Sequence, residues 1–177
     1  MRKHFAAAAV CSAILALGSC DDGLVHGEEG LKKIGEELGG YELVGTVSGS
    51  WETTAWYACG DDDGNENIRA VRLGIKGKDT WENRGADLGL HKFGDGLYEI
   101  MADHGYSFYV NDENCKRIML ITGSQTETAD VSEYPFITYM ERNYQAETEY
   151  SDDMVTTSSY GIRYFFLDAD NNVIAGT

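Results

Sequence analysis

The chain has 177 residues, with 30 Asp and Glu against 14 Lys and Arg, so its formal net charge at pH 7 is −16. Hydrophobic residues make up 42% and proline occurs once, a composition that favours one folded domain over a disordered chain. The Lys and Arg residues form no basic stripe, and phosphate binding requires clustered cations, so nucleic acid is excluded as an expected partner.

The first 19 residues have the layout of a secretory signal. Arg2 and Lys3 are followed by an uncharged apolar run over residues 5–17. This run of 13 residues is too short for a membrane-spanning helix, which needs about 20 apolar residues. The sequence therefore predicts a leader over residues 1–19 that is removed from the mature protein.

The four residues Leu17-Gly18-Ser19-Cys20 resemble the lipobox of bacterial lipoproteins. The resemblance implies that Cys20 receives diacylglycerol, becomes the mature amino terminus and is acylated by a fatty acid such as palmitate. Two or three such chains anchor stably, because each buried CH₂ contributes about 0.8 kcal/mol. We therefore expect a lipid anchor in the cell envelope, on the periplasmic face of either membrane or on the cell surface. An ordinary signal peptide that leaves Cys20 as a thiol is the alternative.

The mature chain is still more acidic. Removal of residues 1–19 takes away two basic residues and no acidic ones, which gives (14 − 2) − 30 = −18. Residues 20–27 are polar and contain glycine, and we predict a tether there, followed by a single domain over residues 28–177.

Two cysteines, Cys59 and Cys115, remain inside the predicted domain. In an oxidising envelope they are expected to pair. A disulfide closing a loop of this length contributes about 4 kcal/mol to stability in the chain-entropy model. A metal site is the weaker alternative, because neither a Cys-x-x-Cys spacing nor a neighbouring His accompanies them.

One helix is predicted at the start of the domain. Leu31, Ile34 and Leu38 have helical spacing, with acidic residues before them and Gly39-Gly40 after them.

From residue 41 onward the pattern predicts strands. Residues 41–47, 53–59 and 71–76 are rich in aromatic and β-branched side chains or alternate between apolar and polar ones. Further predictions are a three-stranded meander over 97–101, 106–110 and 115–122, a hairpin over 160–167 and 173–175, and a loop with a helical turn over 78–92. Residues 136–150 fit either a strand or a helix.

These elements define the expected fold class. It is mainly β, a β-rich α+β arrangement, built as a single antiparallel sheet, a sandwich or a barrel-like domain with one short N-terminal helix.

The first candidate site combines aromatic and acidic residues. Large aromatic side chains are favoured as interface anchors, and we treat Trp51, Trp56, Tyr57, Asp61, Asp62 and Asp63 as a candidate binding patch. The aromatic residues fit a β-core equally well.

Calcium sites are not predicted. The segment of residues 61–67 and the segment Asp168, Asp170 and Asn172 are rich in oxygen ligands. However, Gly64 comes too early for a calcium loop, Val173 occupies the Gly position in the second segment, and neither has the closing Glu. Both segments are interpreted as turns between strands.

The sequence contains no clear catalytic motif. His91 and His104 are potential acids or bases with Asp87 or Asp103, but no Ser or Cys nucleophile has the expected surroundings. The sequence contains no phosphate-binding glycine loop, zinc spacing or dinucleotide fingerprint, so we predict no catalytic residue, metal or cofactor.

The sequence favours an acidic binding protein that neutralises a cationic protein, such as an inhibitor or an immunity protein. Residues 56–61 resemble the Tyr-x-Cys segment of lipoprotein inhibitors of animal-type lysozyme, over these six residues only. A structural or accessory subunit of an envelope assembly is the alternative. A hydrolase built on His91 or His104 is the third hypothesis.

Overall fold

The computed structural model describes residues 23–60, 66–123, 125–142, 147–151, 154–158 and 161–177. The fold of this part is β-rich and antiparallel with one short helix, which confirms the predicted fold class. The leader, Cys20 and Asp61, Asp62 and Asp63 lie outside the described residues. Within the described ranges, no helix has both the length and the apolar character needed to cross a membrane.

The first sheet, called sheet A, has five strands. In spatial order they are β1 (Leu24–His26), β5 (Thr80–Ala86), β4 (Glu66–Gly77), β3 (Glu52–Gly60) and β2 (Glu42–Ser48). The helix α1 (Gly27–Glu37) follows β1 directly. Every neighbouring pair in this sheet is antiparallel.

Two four-stranded antiparallel sheets complete the main body. Sheet B has the order β11 (Phe136–Glu141), β8 (Gly105–Val110), β7 (Leu97–Met101) and β6 (Leu90–Gly94). Sheet C has the order β10 (Gln125–Asp130), β9 (Arg117–Thr122), β14 (Ile162–Leu167) and β15 (Val173–Gly176). A separate two-stranded ribbon pairs β12 (Glu147–Ser151) with β13 (Met154–Ser158).

Sheet B lies between the other two sheets. The core between sheets A and B contains Trp56, Ile68, Ala70, Tyr98, Ile100 and Tyr109. The core between sheets B and C includes Leu97, Tyr106, Phe108, Val110, Ile118, Leu120, Tyr164 and Phe166. Both faces of sheet B are therefore buried, which explains why β7 and β8 are apolar on both sides rather than alternating.

The helix covers the outer face of sheet A. Leu31 and Ile34 are buried against β3 and β4, because their helical spacing places both side chains on the face of α1 that packs on the sheet. At Gly35 a Cβ atom would lie 2.2 Å from the carbonyl oxygen of Tyr41, so only glycine permits this close approach of backbone segments. The carbonyl oxygen of Gly35 also accepts a hydrogen bond from the Tyr41 N–H at 2.9 Å.

Residues 78–92 are not the predicted loop, because they contain β5 and most of the short strand β6. The intervening turn uses Asp87 and Gly89 at positive φ. Both strands carry charged residues and glycine, so their local pattern lacked the apolar alternation on which the prediction depended.

The predicted three-stranded meander is wrong in its last step. β7 and β8 pair as expected, but β9 belongs to sheet C. A turn in which the Cys115 N–H donates to the Asp112 carbonyl redirects the chain before β9 begins. Residues 136–150 were left open between helix and strand. Residues 136–141 form β11 and residues 147–150 belong to β12, whereas residues 143–146 lie outside the described part of the chain. The closing hairpin of β14 and β15 is confirmed.

The predicted tether is shorter than expected. Leu24, Val25 and His26 pair with β5, and Val25 is buried. The segment was interpreted as a tether because most of its residues are polar or glycine. The burial of Val25 and the backbone hydrogen bonds to β5 attach it to the sheet.

The predicted disulfide is absent from the structure, in which Cys59 and Cys115 are free thiols. Cys59 lies near the end of β3 and its thiol is directed to the Gly60 carbonyl. Cys115 is buried between sheets B and C, its thiol is directed to the Arg117 carbonyl, and burial raises its pKa. Even numbers of cysteines indicate pairing only when the fold brings them together.

Candidate functional site

Polar turns lie at both ends of sheets A and B, and the two ends differ in charge balance. At one end, Glu52, Arg72, Arg84 and Asp103 form a connected ion-pair network, called the clamp. Its two carboxylates and two guanidinium groups give a net charge of zero.

Glu52 is the buried member of the clamp. It is 1% exposed, at the first position of β3. Its carboxylate accepts a hydrogen bond from Arg72 Nη2 at 3.0 Å and another from the Asp103 backbone N–H. A carboxylate in such surroundings needs these partners, because an unpaired buried charge is strongly unfavourable.

Asp103 joins the two sheets. It lies in the turn between β7 and β8, and accepts hydrogen bonds from Arg72, on β4, and from Arg84 Nη1, on β5, at 2.6 Å. The hydrogen bond from Arg72 lowers the pKa of Asp103. The clamp thereby connects β3, β4 and β5 of sheet A to the β7–β8 turn of sheet B.

A second contact holds the turn between β2 and β3. The Ser50 N–H donates to Glu141 Oε1 at 3.1 Å, and the Ser50 hydroxyl donates to the same oxygen. Tyr139, on β11, packs where Gly49 lacks a side chain, since a Cβ there would lie 2.3 Å from its ring. Burial, with the nearby carboxylates of Glu52 and Glu141, raises the pKa of Tyr139 to about 12.

Trp51 lies between these two fixed residues, Ser50 and Glu52, yet its side chain is 66% exposed. Its ring centroid is 6.3 Å from that of His104. Its carbonyl accepts the Ile75 N–H at 3.2 Å, and Ile75 is itself exposed. An exposed aromatic side chain on a backbone fixed at both neighbours is already positioned for contact, which lowers the entropic cost of binding.

Three turns meet at the opposite end of the strands, where β9 begins. The Lys116 N–H donates to the Leu167 carbonyl at 2.7 Å, and the Val131 N–H donates to the Lys116 carbonyl at 2.9 Å. Arg117 Nη1 donates to Asn171 Oδ1 at 2.8 Å. These bonds bring together residues 111–117, 130–134 and 168–172.

This second region, called the acidic end, carries excess negative charge. Its acidic residues are Asp112, Glu113, Asp130, Glu133, Asp168 and Asp170. Against these six, the same ranges hold only Lys116 and Arg117, for a net charge of 2 − 6 = −4. Arg117 is already engaged by Asp130, at 2.7 Å.

Asp168 organises the β14–β15 turn. Its carboxylate accepts the backbone N–H groups of Asp170 at 2.9 Å and Asn172 at 2.8 Å, and the side-chain amide of Asn172 at 2.9 Å. The hydrogen bond from the Asn172 side chain lowers the pKa of Asp168. The segment is a hairpin turn, as predicted. Among the described residues, no group of three or more His, Cys, Asp and Glu is arranged to hold a metal ion.

Two of the predicted binding aromatics belong to the core. Trp56 and Tyr57 are both 0% exposed. Trp56 Nε1 donates to Ser107 Oγ at 2.8 Å, and the Tyr57 hydroxyl donates to the Leu31 carbonyl at 2.9 Å. Their assignment to a binding patch is therefore wrong, and of the three aromatic candidates Trp51 alone is exposed.

The histidine candidates are not paired with the expected carboxylates. Asp87 accepts hydrogen bonds from Arg69 and from the Ala70 N–H, and Asp103 is engaged by the clamp. His91 lies opposite Glu99 in sheet B, and His104 lies beside Trp51. In the described part of the chain, Asp87 and Asp103 are thus bound by arginines, and not by the histidines that the acid–base hypothesis required.

Sequence reasoning missed Glu99, which is 2% exposed between sheets B and C. It accepts the Tyr164 hydroxyl at 2.9 Å, its other oxygen has no hydrogen-bond partner, and burial raises its pKa. The available signal was a single acid among Leu97, Tyr98, Ile100 and Met101. Glu52 gave no comparable signal, because it is followed by two threonines. Arg72 lies between Val71 and Leu73, where alternation indicates the solvent-facing side of a strand.

No family model, no curated protein and no solved structure matches this chain. Function is therefore inferred from the chain's own charges, exposed side chains and amino-terminal sequence.

Proposed function

We propose that this chain is a lipid-anchored envelope protein that binds a cationic protein through its acidic end. The observation that carries the proposal is the charge imbalance of −4 over three adjoining turns. Attraction between such a surface and a basic partner accelerates association and weakens as salt is added. An inhibitor or an immunity protein is the kind of binding protein that this arrangement fits.

The overall charge supports the same partner chemistry. The mature chain carries −18, and at the clamp the local charge is zero, so the excess negative charge lies elsewhere. Asp130 is paired with Arg117, and Asp168 is hydrogen-bonded within its own turn. The exposed carboxylates of Glu113, Glu133 and Asp170 keep their hydration while the protein is free, and they exchange water for Lys or Arg when a partner binds. The rim of a protein interface is commonly built in this way.

The binding test compares two sets of neutralised residues. One variant carries Asp112→Asn, Glu133→Gln and Asp170→Asn at the acidic end, and the control carries Glu29→Gln, Glu36→Gln and Glu37→Gln on α1. Both change the net charge by the same amount. Each protein, immobilised without its leader, is incubated with envelope extract at low salt, and bound proteins are identified by mass spectrometry.

We expect a basic protein to be recovered by the unsubstituted protein and the helix control, but lost with the acidic-end variant. Its association rate should fall by about tenfold or more between low and high salt. Recovery of no basic protein, or equal loss with both variants, contradicts the proposal. Binding that salt does not weaken supports instead an accessory subunit with an apolar interface.

The lipid anchor has its own test. Mass spectrometry of the mature protein should show Cys20 as an acylated amino terminus, and Cys20→Ser should release the protein from membranes. An unmodified terminus, or an intact leader in the cytosol, contradicts the anchor without affecting the binding test.

A further inference from the structure

Glu99 places a carboxyl group in the apolar contact between sheets B and C. It is the middle residue of β7, and the register sets it opposite Phe108 on β8 and His91 on β6. Directly opposed residues share one face of a sheet, so Glu99 lies on the face of Phe108, which belongs to the core between the two sheets. With 2% of its surface exposed, Glu99 is part of that buried contact.

The carboxyl group of Glu99 is only half satisfied by hydrogen bonds. Its Oε2 accepts the Tyr164 hydroxyl at 2.9 Å, across the contact from sheet C. Its Oε1 is also buried, and no described residue donates to it. Glu52 is buried to the same degree but is paired with Arg72. Burial of an ionised carboxylate without a cation is costly, whereas a protonated carboxyl group loses much less.

The titratable side chains that face Glu99 from β8, β14 and β10 supply no positive charge. Tyr106, on β8, lies beside Tyr164, with ring centroids 5.6 Å apart. Burial raises the pKa of Tyr164, so its hydroxyl stays neutral. The register places Glu127, on β10, on the same face of sheet C as Tyr164, and Glu127 is partly buried. A second carboxylate on this face does not favour ionisation of the first.

The cations closest to this face do not compensate the burial of Glu99. His91 is exposed and favours the ionised form of Glu99, but by less than burial opposes it. Arg142 follows Thr138 by four residues, and Thr138 lies in the row of Phe108 and Glu99, so Arg142 is about 13 Å farther along the strands. Burial therefore raises the pKa of Glu99.

We propose that Glu99 makes the contact between sheets B and C sensitive to pH, so that the contact is closed while its carboxyl group is protonated and loosens as the group ionises. The acidic end is built across this contact, because residues 111–117 connect the two sheets and residues 130–134 and 168–172 follow strands of sheet C. The inference depends neither on the lipid anchor nor on a cationic partner.

The direction of the pH dependence follows from the raised pKa of Glu99. A carboxyl group whose pKa is higher in the folded protein stabilises the fold fully below its unfolded pKa of about 4.3. That stability is lost as the pH rises through the raised value. The effect is opposite in sign to that of a carboxylate held by arginines.

Cys115 serves as the reporter, because its thiol is free and buried among side chains of both sheets. A protein without its leader carries Cys20→Ser and Cys59→Ser, so that Cys115 is its only thiol. The rate of labelling by a maleimide is measured from pH 5 to pH 8 and divided by the rate of the same protein with Glu99→Gln. This ratio removes the effect of pH on the thiol itself, and circular dichroism confirms that each protein is folded.

We expect the ratio to rise by about fivefold or more between pH 5 and pH 8, because only the protein with Glu99 can ionise at this position. Glu127→Gln is the matched control. It neutralises a partly buried carboxylate on the facing sheet and should leave the rise intact. A ratio that stays constant with pH, or a rise that Glu127→Gln abolishes, overturns the proposal.

A second variant keeps the test decisive if Glu99→Gln does not fold. The hydrogen bond from Tyr164 favours the ionised form of Glu99, so Tyr164→Phe should move the rise in labelling to higher pH. Here each labelling rate is divided by that of glutathione, whose thiol is always exposed. A rise at the same pH or at lower pH in Tyr164→Phe contradicts the assignment to Glu99.

Discussion

The two ends of the β-strands carry carboxylates in opposite circumstances. At the clamp, Glu52 and Asp103 are matched by Arg72 and Arg84, and one carboxylate is almost fully buried. At the acidic end, six carboxylates share two cations. The net charge of the protein therefore says little about a given surface, because the arrangement of counter-charges decides whether carboxylates join strands or attract a partner.

The comparison also concerns aromatic side chains. Trp51 and Trp56 are five positions apart on one segment, yet one is exposed and the other is 0% exposed. Trp56 belongs to the core between sheets A and B, whereas Trp51 stands in the turn before β3. Composition counts both as hydrophobic, but only Trp56 contributes burial energy to the fold.

The largest difference is expected between these two tryptophans. Trp56→Ala should lower the free energy of unfolding by about 4 kcal/mol, because it removes a fully buried ring and its hydrogen bond to Ser107. Trp51→Ala should change it by about 0.5 kcal/mol or less. Urea unfolding followed by circular dichroism measures both, and similar costs would show that Trp51 supports the fold.

The next largest effect separates the ion pairs of the two ends. Arg72→Met should cost about 3 kcal/mol, because it leaves the carboxylate of Glu52 buried without its cation. Arg117→Met, which breaks an exposed pair with Asp130 and an exposed hydrogen bond to Asn171, should cost about 1 kcal/mol. The two variants are compared by their urea midpoints at pH 7. A larger loss for Arg117→Met would reverse the roles given to the two ends.

A smaller effect depends on pH. Hydrogen bonding to Arg72 lowers the pKa of Asp103 in the folded protein, so the stability it contributes is present above its unfolded pKa of about 3.9. That stability is lost as the pH falls through the lowered value. Asp103→Asn should therefore be less stable than the unsubstituted protein at pH 7, and the difference should narrow on acidification.

Urea midpoints measured from pH 7 down to pH 3 check this dependence. Asp170→Asn at the acidic end is the control and should change stability by about 0.5 kcal/mol or less at pH 7. A difference between Asp103→Asn and the unsubstituted protein that stays constant with pH would mean that Asp103 contributes by shape rather than by charge.

The smallest effect is expected for a charge reversal at the acidic end. Glu133→Lys should leave the free energy of unfolding within about 0.5 kcal/mol of its original value, because Glu133 is exposed in a turn. Any gain from reduced repulsion should disappear at high salt. Unfolding at low and high salt tests this, and a loss above 2 kcal/mol would show a structural role for the carboxylate.

Local patterns sufficed to predict the class of fold and several of its elements. The apolar spacing over α1 and the aromatic and β-branched residues of β3, β7 and β8 gave those elements close to their observed bounds. These signals succeed because a buried face must be apolar at the period of its own backbone. The prediction of the leader and the lipid anchor at Cys20 also depends on local sequence and remains a prediction.

Strands without an apolar pattern required the tertiary structure. β10 contains Gln, Thr, Glu, Ala and Asp, and it exists because all six of its residues pair with β9. The transfer of β9 to sheet C and the separation of Cys59 from Cys115 likewise arise from contacts distant in the sequence. Backbone pairing satisfies hydrogen bonds whatever the side chains are, so such strands leave little trace in composition.

The clamp and the acidic end could not be predicted from the sequence pattern. The acidity of the chain and its three tryptophans were visible from composition, but which tryptophan is exposed was not. Glu52, Arg72, Arg84 and Asp103 come from four separate segments. Only the folded sheets bring them together, just as they gather the acidic turns around β9. The sequence by itself determines how many charged residues the protein has. Whether a carboxylate is neutralised depends on which cations lie beside it, and the packing of the three sheets decides that.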